Sequence, residues 1–591
     1  MIRKDLSSES FTFECVNEYR KSDGLYVLDY GAGNVRSLYN AIRKIGYRPK
    51  RVECPGDIDR AKKLIFPGVG SFGSAMKFLK EKGYFEPLRR YLLSGKPYFG
   101  ICIGMQALFR SSEESSGATG LGIIDDTIKR FPDGKDLPTV PHIGWNGIRL
   151  LGSTSDVFSS IPADARLYFV HSFRAKLNDK TKSWAMTLTD YGEPFVSAIQ
   201  QGSIVATQFH PEKSGEAGLK IIEAFLSGQS FSNDSSKTNQ VKQTVVSRRV
   251  VAGLDVRPDD DGRLVVTKGD GYDVRDSKDG KRVRNLGDPV DLAHRYFVEG
   301  ADEIVFLNIK AGAVDILKDT PMMKVLERAS EKIFVPLTIG GGIRSYTSKS
   351  GVYHSALDVA AAYIFYFCLS LSSLYALQLT HTPKPISYFR SGADKVSIGS
   401  AAVRDVERYI ARGEKADGTS CIESIVNVYG RQAVVVSIDP RRVYLGSKKE
   451  EDEARKNGYT IVQCADIRKG PRGETQCWYQ CTVKGGRETR PLDAVRFATC
   501  CDKLGAGELL INCIDQDGRK QGFDLELINA ICEHVNIPVI ASSGAGSGKH
   551  FSQVFTDTRG EAALGAGIFH RREVAISEVK DTMRRDSIPT R

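Results

Sequence analysis

A repeat in the second half of the chain limits its fold more than any other feature. RVVAGLDV (residues 249–256) is echoed by AVVVSIDP (433–440), ADEIVFLNIK (301–310) by AGELLINCID (506–515), and VPLTIGGGIR (335–344) by IPVIASSGAG (537–546). ADKVSIGS (393–400) has a looser partner in AALGAGIFH (562–570). Each unit is a short apolar run that ends in a Gly- or Asp-bearing turn, as a parallel strand feeding a helix does. Four units matched in order by four more predict a (β/α)8 barrel built as two half-barrels. Short β-branched runs resemble one another by chance, but chance does not keep their order.

A polar, Ser-rich stretch without apolar periodicity, residues 229–246, reads as a linker. It divides the 591 residues into units at 24–228 and 247–591, with residues 1–23 as an N-terminal extension. In the first unit, apolar runs end in DYGAGN (29–34), PGVG (67–70) and GICIGMQ (100–106), and an amphipathic helix is expected after each. That pattern predicts an α/β domain with a mostly parallel sheet. The extension lacks the apolar core of a signal peptide and carries acidic residues that a transit peptide avoids. No apolar stretch is clean enough for a membrane span. The 12 cysteines show no paired metal spacing and suit free thiols in a reducing compartment. The formal charge of +11 suits small anionic substrates. Zinc-finger spacing, RNA-binding aromatics and long basic runs are all missing, so no nucleic acid is expected as partner. Neither a metal nor a cofactor is implied.

Gly100-Ile101-Cys102-Ile103-Gly104 has the spacing of a nucleophile elbow. A sharp strand-to-helix turn needs small residues on both sides of the nucleophile, and a helix N-terminus there favours the thiolate. Gln208-Phe209-His210-Pro211-Glu212 supplies a base, His210, and a carboxylate, Glu212, placed to hold its tautomer. Singly, a sheet cysteine is a core residue and a lone histidine is solvated or capping. The order Cys…His-x-Glu is what points to catalysis.

These motifs, together with PGVG and QFHPEKSG, resemble the triad glutamine amidotransferases, which release ammonia from the side-chain amide of glutamine. The resemblance implies Cys102 as nucleophile, His210 as base and Glu212 as orienting carboxylate. It places Gln106 in the glutamine pocket, and Gly68 and Gly70 in the loop that shapes the oxyanion site. PHIGWN (141–146) resembles the family's loops facing a partner domain; a surface turn with a buried tryptophan is the plainer alternative.

A barrel binds anions on Gly-rich loops at the C-terminal ends of its strands. A doubled half-barrel offers two such sites across one mouth. One comprises Gly341 and Gly342 with Gly399 and Ser400; the other comprises Asp517, Gly518, Ser543, Gly544, Ala566 and Gly567. Two symmetric sites imply a substrate with a phosphate at each end. Asp255 and Asp439 end the first and fifth strands and face each other as candidate acid and base, although such residues also cap helices. Lys268, Asn308, Asn512 and Asp515 fall at or near strand ends and are candidates to orient the substrate.

LDVRPDDDGRLVVTKGDGYDVRD, FVPLTIGGGIR, GADKVSIGSAAV, WYQCTVKGGRE, INCIDQDG and PVIASSGAG closely resemble the cyclase of the imidazole glycerol phosphate synthase family. Fusion of that barrel to an amidotransferase is the eukaryotic arrangement. The resemblance implies that ammonia from glutamine reacts with a bisphosphorylated nucleotide, PRFAR, giving imidazole glycerol phosphate and AICAR on the histidine pathway. Asp255 and Asp439 match the family's acid/base pair. Arg249, Glu303, Lys395 and Glu508, at the starts of strands one, two, four and six, match its ammonia gate; a surface ion-pair cluster is the alternative. With both subunits fused, a functional monomer is expected. The compartment expected is the cytoplasm, with a plastid address open if a transit peptide precedes this N-terminus.

The chain departs from the family in three places. Gly253 stands where cysteine is usual, and little consequence is expected. The segment after the second strand, KAGAVDILKDTP (310–321), leaves the substrate contacts of that loop open. Residues 364–388 have no counterpart and land inside the third barrel helix. An apolar, aromatic segment looped out there would invite aggregation, so we expect it to be an artefact of conceptual translation, such as an unspliced segment. Mass spectrometry of the natural protein should find no peptide from it, and finding one would overturn the expectation. Rival functions are an amidotransferase with another acceptor, disfavoured by the twin phosphate sites, and a cysteine peptidase, disfavoured because the only other unit is a phosphate barrel. A non-enzymatic binding protein would require the insert to ruin the barrel.

Overall fold

Eight short apolar strands, all parallel, close on themselves in the second half of the chain. They span Arg249–Pro258, Glu303–Asn308, Leu337–Gly340, Lys395–Ile398, Val434–Ile438, Glu508–Asn512, Val539–Ser542 and Ala562–Gly565. The eighth pairs with the first, Ala562 beside Arg249, so the sheet has no edge. These are the eight units of the repeat, in its order. In this computed structural model the described residues are 24–31, 33–151, 157–158, 161–228, 243–267, 285–309, 320–348, 351–364 and 391–591. Lys268, most of the 310–321 loop and all but Ile364 of the 364–388 insert lie outside them.

Side chains alternate along a strand, so each barrel strand sends one set inward and one outward. Val251, Val305, Val435, Leu510 and Ile540 form an inner cluster with Ala562 and Leu564. The outward set packs on the surrounding helices.

The first unit is built on an eight-stranded sheet of mixed direction. Lys50–Arg51, Leu25–Val27, Lys63–Phe66, Tyr98–Ile101 and Ile204–Thr207 run parallel. Glu193–Gln201, Ala185–Tyr191 and Arg149–Leu150 then continue the sheet antiparallel. The parallel part carries the expected motifs. Helices Val35–Lys44 and Phe72–Glu81 follow two of them, but after Cys102 the helix is a single turn, Ile103–Gln106. The chain there passes tightly against strand Lys63–Phe66, since a Cβ on Gly104 would lie 1.9 Å from the Phe66 carbonyl.

This unit sits on the face where the barrel strands begin. Trp145 Nε1 donates to the Asp302 carbonyl (3.1 Å), and Val140 N–H to the Asn536 carbonyl (2.8 Å). Asn34 Nδ2 reaches the Gly392 carbonyl (2.7 Å) and Asp394 (2.9 Å). Lys213 pairs with Asp394 at 2.6 Å, and Arg591 lies 4.3 Å over the Trp145 ring. Residues 302, 394 and 536 precede strands two, four and seven, so the contact covers the barrel floor.

Candidate active site

Cys102 lies between the end of strand Tyr98–Ile101 and the turn Ile103–Gln106, at φ +52° and ψ −98°. A non-glycine residue held there is strained, as a nucleophile elbow requires. His210 Nδ1 bonds Glu212 Oε1 at 2.8 Å, and Cys102 is the second side chain that interacts with the ring. Burial works against a charged imidazole, but Glu212 and then Cys102 outweigh it and raise the His210 pKa to about 10. His210 therefore carries its proton at neutral pH. It can stand opposite a thiolate and later hand that proton to a leaving amine.

The loop Pro67–Gly70 runs beside this site. Ile103 N–H, next to Cys102, donates to the Gly68 carbonyl at 3.5 Å. Gly70 leads into helix Phe72–Glu81, capped by Ser71. Gln106 is buried and turned toward Gln208 and the Phe173 carbonyl (3.1 and 3.2 Å).

A small cavity of about 20 Å³, room for a molecule the size of water or ammonia, is bounded by Gly68, Tyr168, His210 and Glu212 on the amidotransferase side and by Asp394 and Lys395 on the barrel side. The four charged residues at the barrel floor close into a ring. Lys395 Nζ lies 2.7 Å from both Glu303 and Glu508; Arg249 lies 3.0 Å from Glu303 and also pairs with Glu508. All four are at most 1% exposed. Each carboxylate thus meets both cations, the arrangement that best offsets the cost of burying charge. Burial alone would lower Arg249 and raise Glu508, but their partners reverse both directions. Thr338 Oγ1 adds a hydrogen bond to Glu303 at 2.6 Å.

Toward the opposite end, Asp255 lies within strand one, three residues before its end, rather than ending it as expected, and Asp439 directly follows strand five, half the barrel's circumference away. Asn512 donates to Asp439 at 3.0 Å and to Ser437 at 3.0 Å. Burial pushes the Asp439 carboxyl up, against the Asn512 hydrogen bond and with help from Asp517. Asp515 accepts from Arg442 N–H at 2.7 Å, and Asn308 ends strand two.

Gly341 and Gly342 follow strand three; Gly399 and Ser400 open the helix Ser400–Ala411 after strand four. Asp517 and Gly518 lie beyond strand six, Ser543 and Gly544 after strand seven, and Ala566 and Gly567 after strand eight. The two halves use glycine alike. A Cβ would lie 2.1 Å from the Asn308 carbonyl at Gly341 (φ +101°) and 2.1 Å from the Gly522 carbonyl at Gly544 (φ +98°).

A model of class-I glutamine amidotransferases matches residues 26–228, and one described as a histidine biosynthesis protein matches residues 249–361 and 384–575. The chain is 48% identical over 565 residues to imidazole glycerol phosphate synthase hisHF, chloroplastic, of Arabidopsis thaliana, covering 96% of this chain and 89% of that protein. It is 47% identical over 561 residues to imidazole glycerol phosphate synthase hisHF of Schizosaccharomyces pombe, covering 94% and 97%. The chain belongs to the imidazole glycerol phosphate synthase hisHF family. It is an enzyme in which a glutamine amidotransferase unit and a histidine-biosynthesis barrel share one chain. Residues 362–383, between the two matched blocks of the barrel, overlap the 364–388 insert.

Sequence reasoning passed over several residues that the fold brings to or near the site. Gln208 donates to the Cys102 sulfur at 3.4 Å; its place in QFHPE was the available signal. Lys213 and Asp394 lie far apart in sequence, and no local pattern pairs them. His142 and His171 meet at 3.3 Å in the core. Glu114 accepts from Phe72 N–H at 2.7 Å beside the Pro67–Gly70 loop, and burial raises its carboxyl to about 7.

Proposed function

We propose that this chain is a bifunctional imidazole glycerol phosphate synthase that makes ammonia from glutamine in one unit and consumes it in the other. The Cys102 thiolate attacks the side-chain carbonyl of glutamine. The carbonyl electron pair moves to oxygen, and His210 gives its proton to the departing ammonia. Water then releases glutamate from the thioester, with His210 taking and returning a proton. The Ile103 N–H that would stabilise the oxyanion is engaged by the Gly68 carbonyl. Hydrolysis therefore requires the Pro67–Gly70 loop to turn that carbonyl away, and a loop that lines a cavity shared with Asp394 and Lys395 of the barrel suits such control.

The observation that carries this reading is a small cavity lined by both His210 and Lys395 at the junction of the two units. Ammonia is protonated in bulk water, so a sheltered route is needed. The route leads through the Arg249–Glu303–Lys395–Glu508 ring to the apolar inner tier of the barrel and on to the mouth. There the two Gly-rich loop pairs hold the phosphates of PRFAR. Asp255 and Asp439 move the protons that accompany nitrogen addition, ring closure and release of AICAR, leaving imidazole glycerol phosphate. We take the enzyme to act as a monomer. The ten described cysteines are free thiols, which suits the cytoplasm; the Arabidopsis relative is named chloroplastic.

The test supplies PRFAR with either glutamine or ammonium. Both should yield imidazole glycerol phosphate, and with glutamine one glutamate should appear for each product formed. Lys395→Ala should break that coupling, so that glutamate exceeds product. An unchanged ratio in the variant would remove the gate role, and no product from either nitrogen source would remove the function.

A further inference from the structure

A line of hydrogen bonds runs from the Cys102 sulfur into the core of the amidotransferase unit. Gln208 Nε2 donates to Sγ at 3.4 Å. Gln208 Oε1 accepts from Gln106 Nε2 at 3.1 Å, and that same nitrogen donates to the Phe173 carbonyl at 3.2 Å. His171 Nδ1 bonds the Phe173 carbonyl at 2.8 Å, and His171 Nε2 meets His142 Nδ1 at 3.3 Å. All four side chains are buried; Gln208 has no exposed surface at all.

The line has one sense only. A carbonyl oxygen accepts and never donates, so Gln106 must turn its NH2 group toward Phe173. That NH2 also faces Gln208, whose facing atom must then be oxygen. The Gln208 NH2 is left pointing at the sulfur. Behind Phe173 the direction is equally set. Burial brings the His171 pKa down to about 3, so the ring is neutral at ordinary pH. Its one N–H goes to the carbonyl, and His142 donates to the remaining nitrogen.

We propose that Gln208 is a further catalytic residue of the glutaminase site, an amide donor that favours the thiolate form of Cys102 and aims its lone pairs. This rests on the glutaminase reading above. An N–H bond to an anion is much stronger than one to a neutral thiol, so a buried donor of fixed orientation stabilises the charged state selectively. His210 takes the Cys102 proton, and Gln208 stabilises the charge left behind. The amide cannot rotate to offer its oxygen to sulfur without breaking the bond to Gln106. Gln106 is thereby also a positioning residue, acting through Gln208.

The experiment follows alkylation of Cys102 by iodoacetamide against pH in the full-length enzyme, with peptide mass spectrometry to isolate this thiol from the others. In the parent enzyme the pH dependence of that rate gives the reference midpoint for thiolate formation. Gln208→Met, similar in length without a donor, should shift that midpoint upward by about one unit, a tenfold loss of thiolate at limiting pH. Gln208→Glu, which adds an anion beside the sulfur, should shift it further. Gln106→Met should shift it in the same direction by less. A midpoint that stays in place in Gln208→Met overturns the proposal, even if glutamine turnover falls. Should both Gln208 variants fail to unfold cooperatively, Gln106→Met decides, and no shift there overturns it. A parent enzyme that releases no glutamate from glutamine would instead sink the glutaminase reading.

Discussion

Cys102→Ala should lose glutamine-driven synthesis by about a thousandfold or more, the scale on which removing a covalent nucleophile acts, while synthesis from ammonium continues. The asymmetry follows from where the residue lies. Cys102 follows a strand of the amidotransferase sheet, and the chemistry of PRFAR is proposed for the far end of the barrel, beyond the charged ring. Alanine relieves rather than adds strain in side-chain bulk, and the φ of +52° is already imposed by the surrounding turn, so the fold should persist. Initial rates measured with each nitrogen source at fixed PRFAR decide the matter. Equal losses with glutamine and ammonium would mean that Cys102 supports the barrel rather than supplying ammonia. Retention of the glutamine rate would mean that the nucleophile lies elsewhere.

What the sequence revealed follows from how each feature is encoded. Parallel barrel strands are buried on both faces, so they appear as short apolar runs such as Val434–Ile438, and their repeat gives the eightfold order directly. The triad is legible because an elbow needs glycines at fixed spacing around Cys102, and because His210 and Glu212 lie two residues apart. The antiparallel flank is harder to see. Strands Ala185–Tyr191 and Glu193–Gln201 mix threonine, serine and glutamine with apolar residues, and their hairpin is marked only by Gly192 at φ +71°. The short turn after Cys102 depends on close approach to Phe66, which no pattern within GICIGMQ reports.

The interface shows the limit most clearly. Arg249, Glu303, Lys395 and Glu508 could be placed at strand starts, but that each carboxylate serves two cations depends on the barrel's closure. Lys213 follows Glu212 directly, and Asp394 precedes Lys395 directly. Their ion pair at 2.6 Å therefore ties the residue after the triad to the residue before the ring. Asp394 also accepts from Leu337 N–H at 2.8 Å and from Asn34, so its position is fixed from three sides. Contacts of this kind arise from two surfaces meeting, and neither surface announces its partner.

Asp439→Asn should reduce synthesis about 10²–10⁴-fold with glutamine and with ammonium alike, the range typical of a lost general acid or base. Asparagine keeps the shape and can still accept from Asn512, but it cannot exchange a proton. Burial disfavours the charged form of Asp439, which suits it to donate a proton. Its raised pKa means that the protonated form survives to higher pH than for an ordinary carboxylate. An acid role predicts that the rate falls as pH rises through that value, and that this limb vanishes in the variant. Removing a carboxylate whose charge is penalised by burial should not lower the thermal midpoint, so an unchanged Tm beside a collapsed rate separates chemistry from folding. A rate within tenfold of the parent with ammonium would assign the proton transfers at the mouth to Asp255 alone.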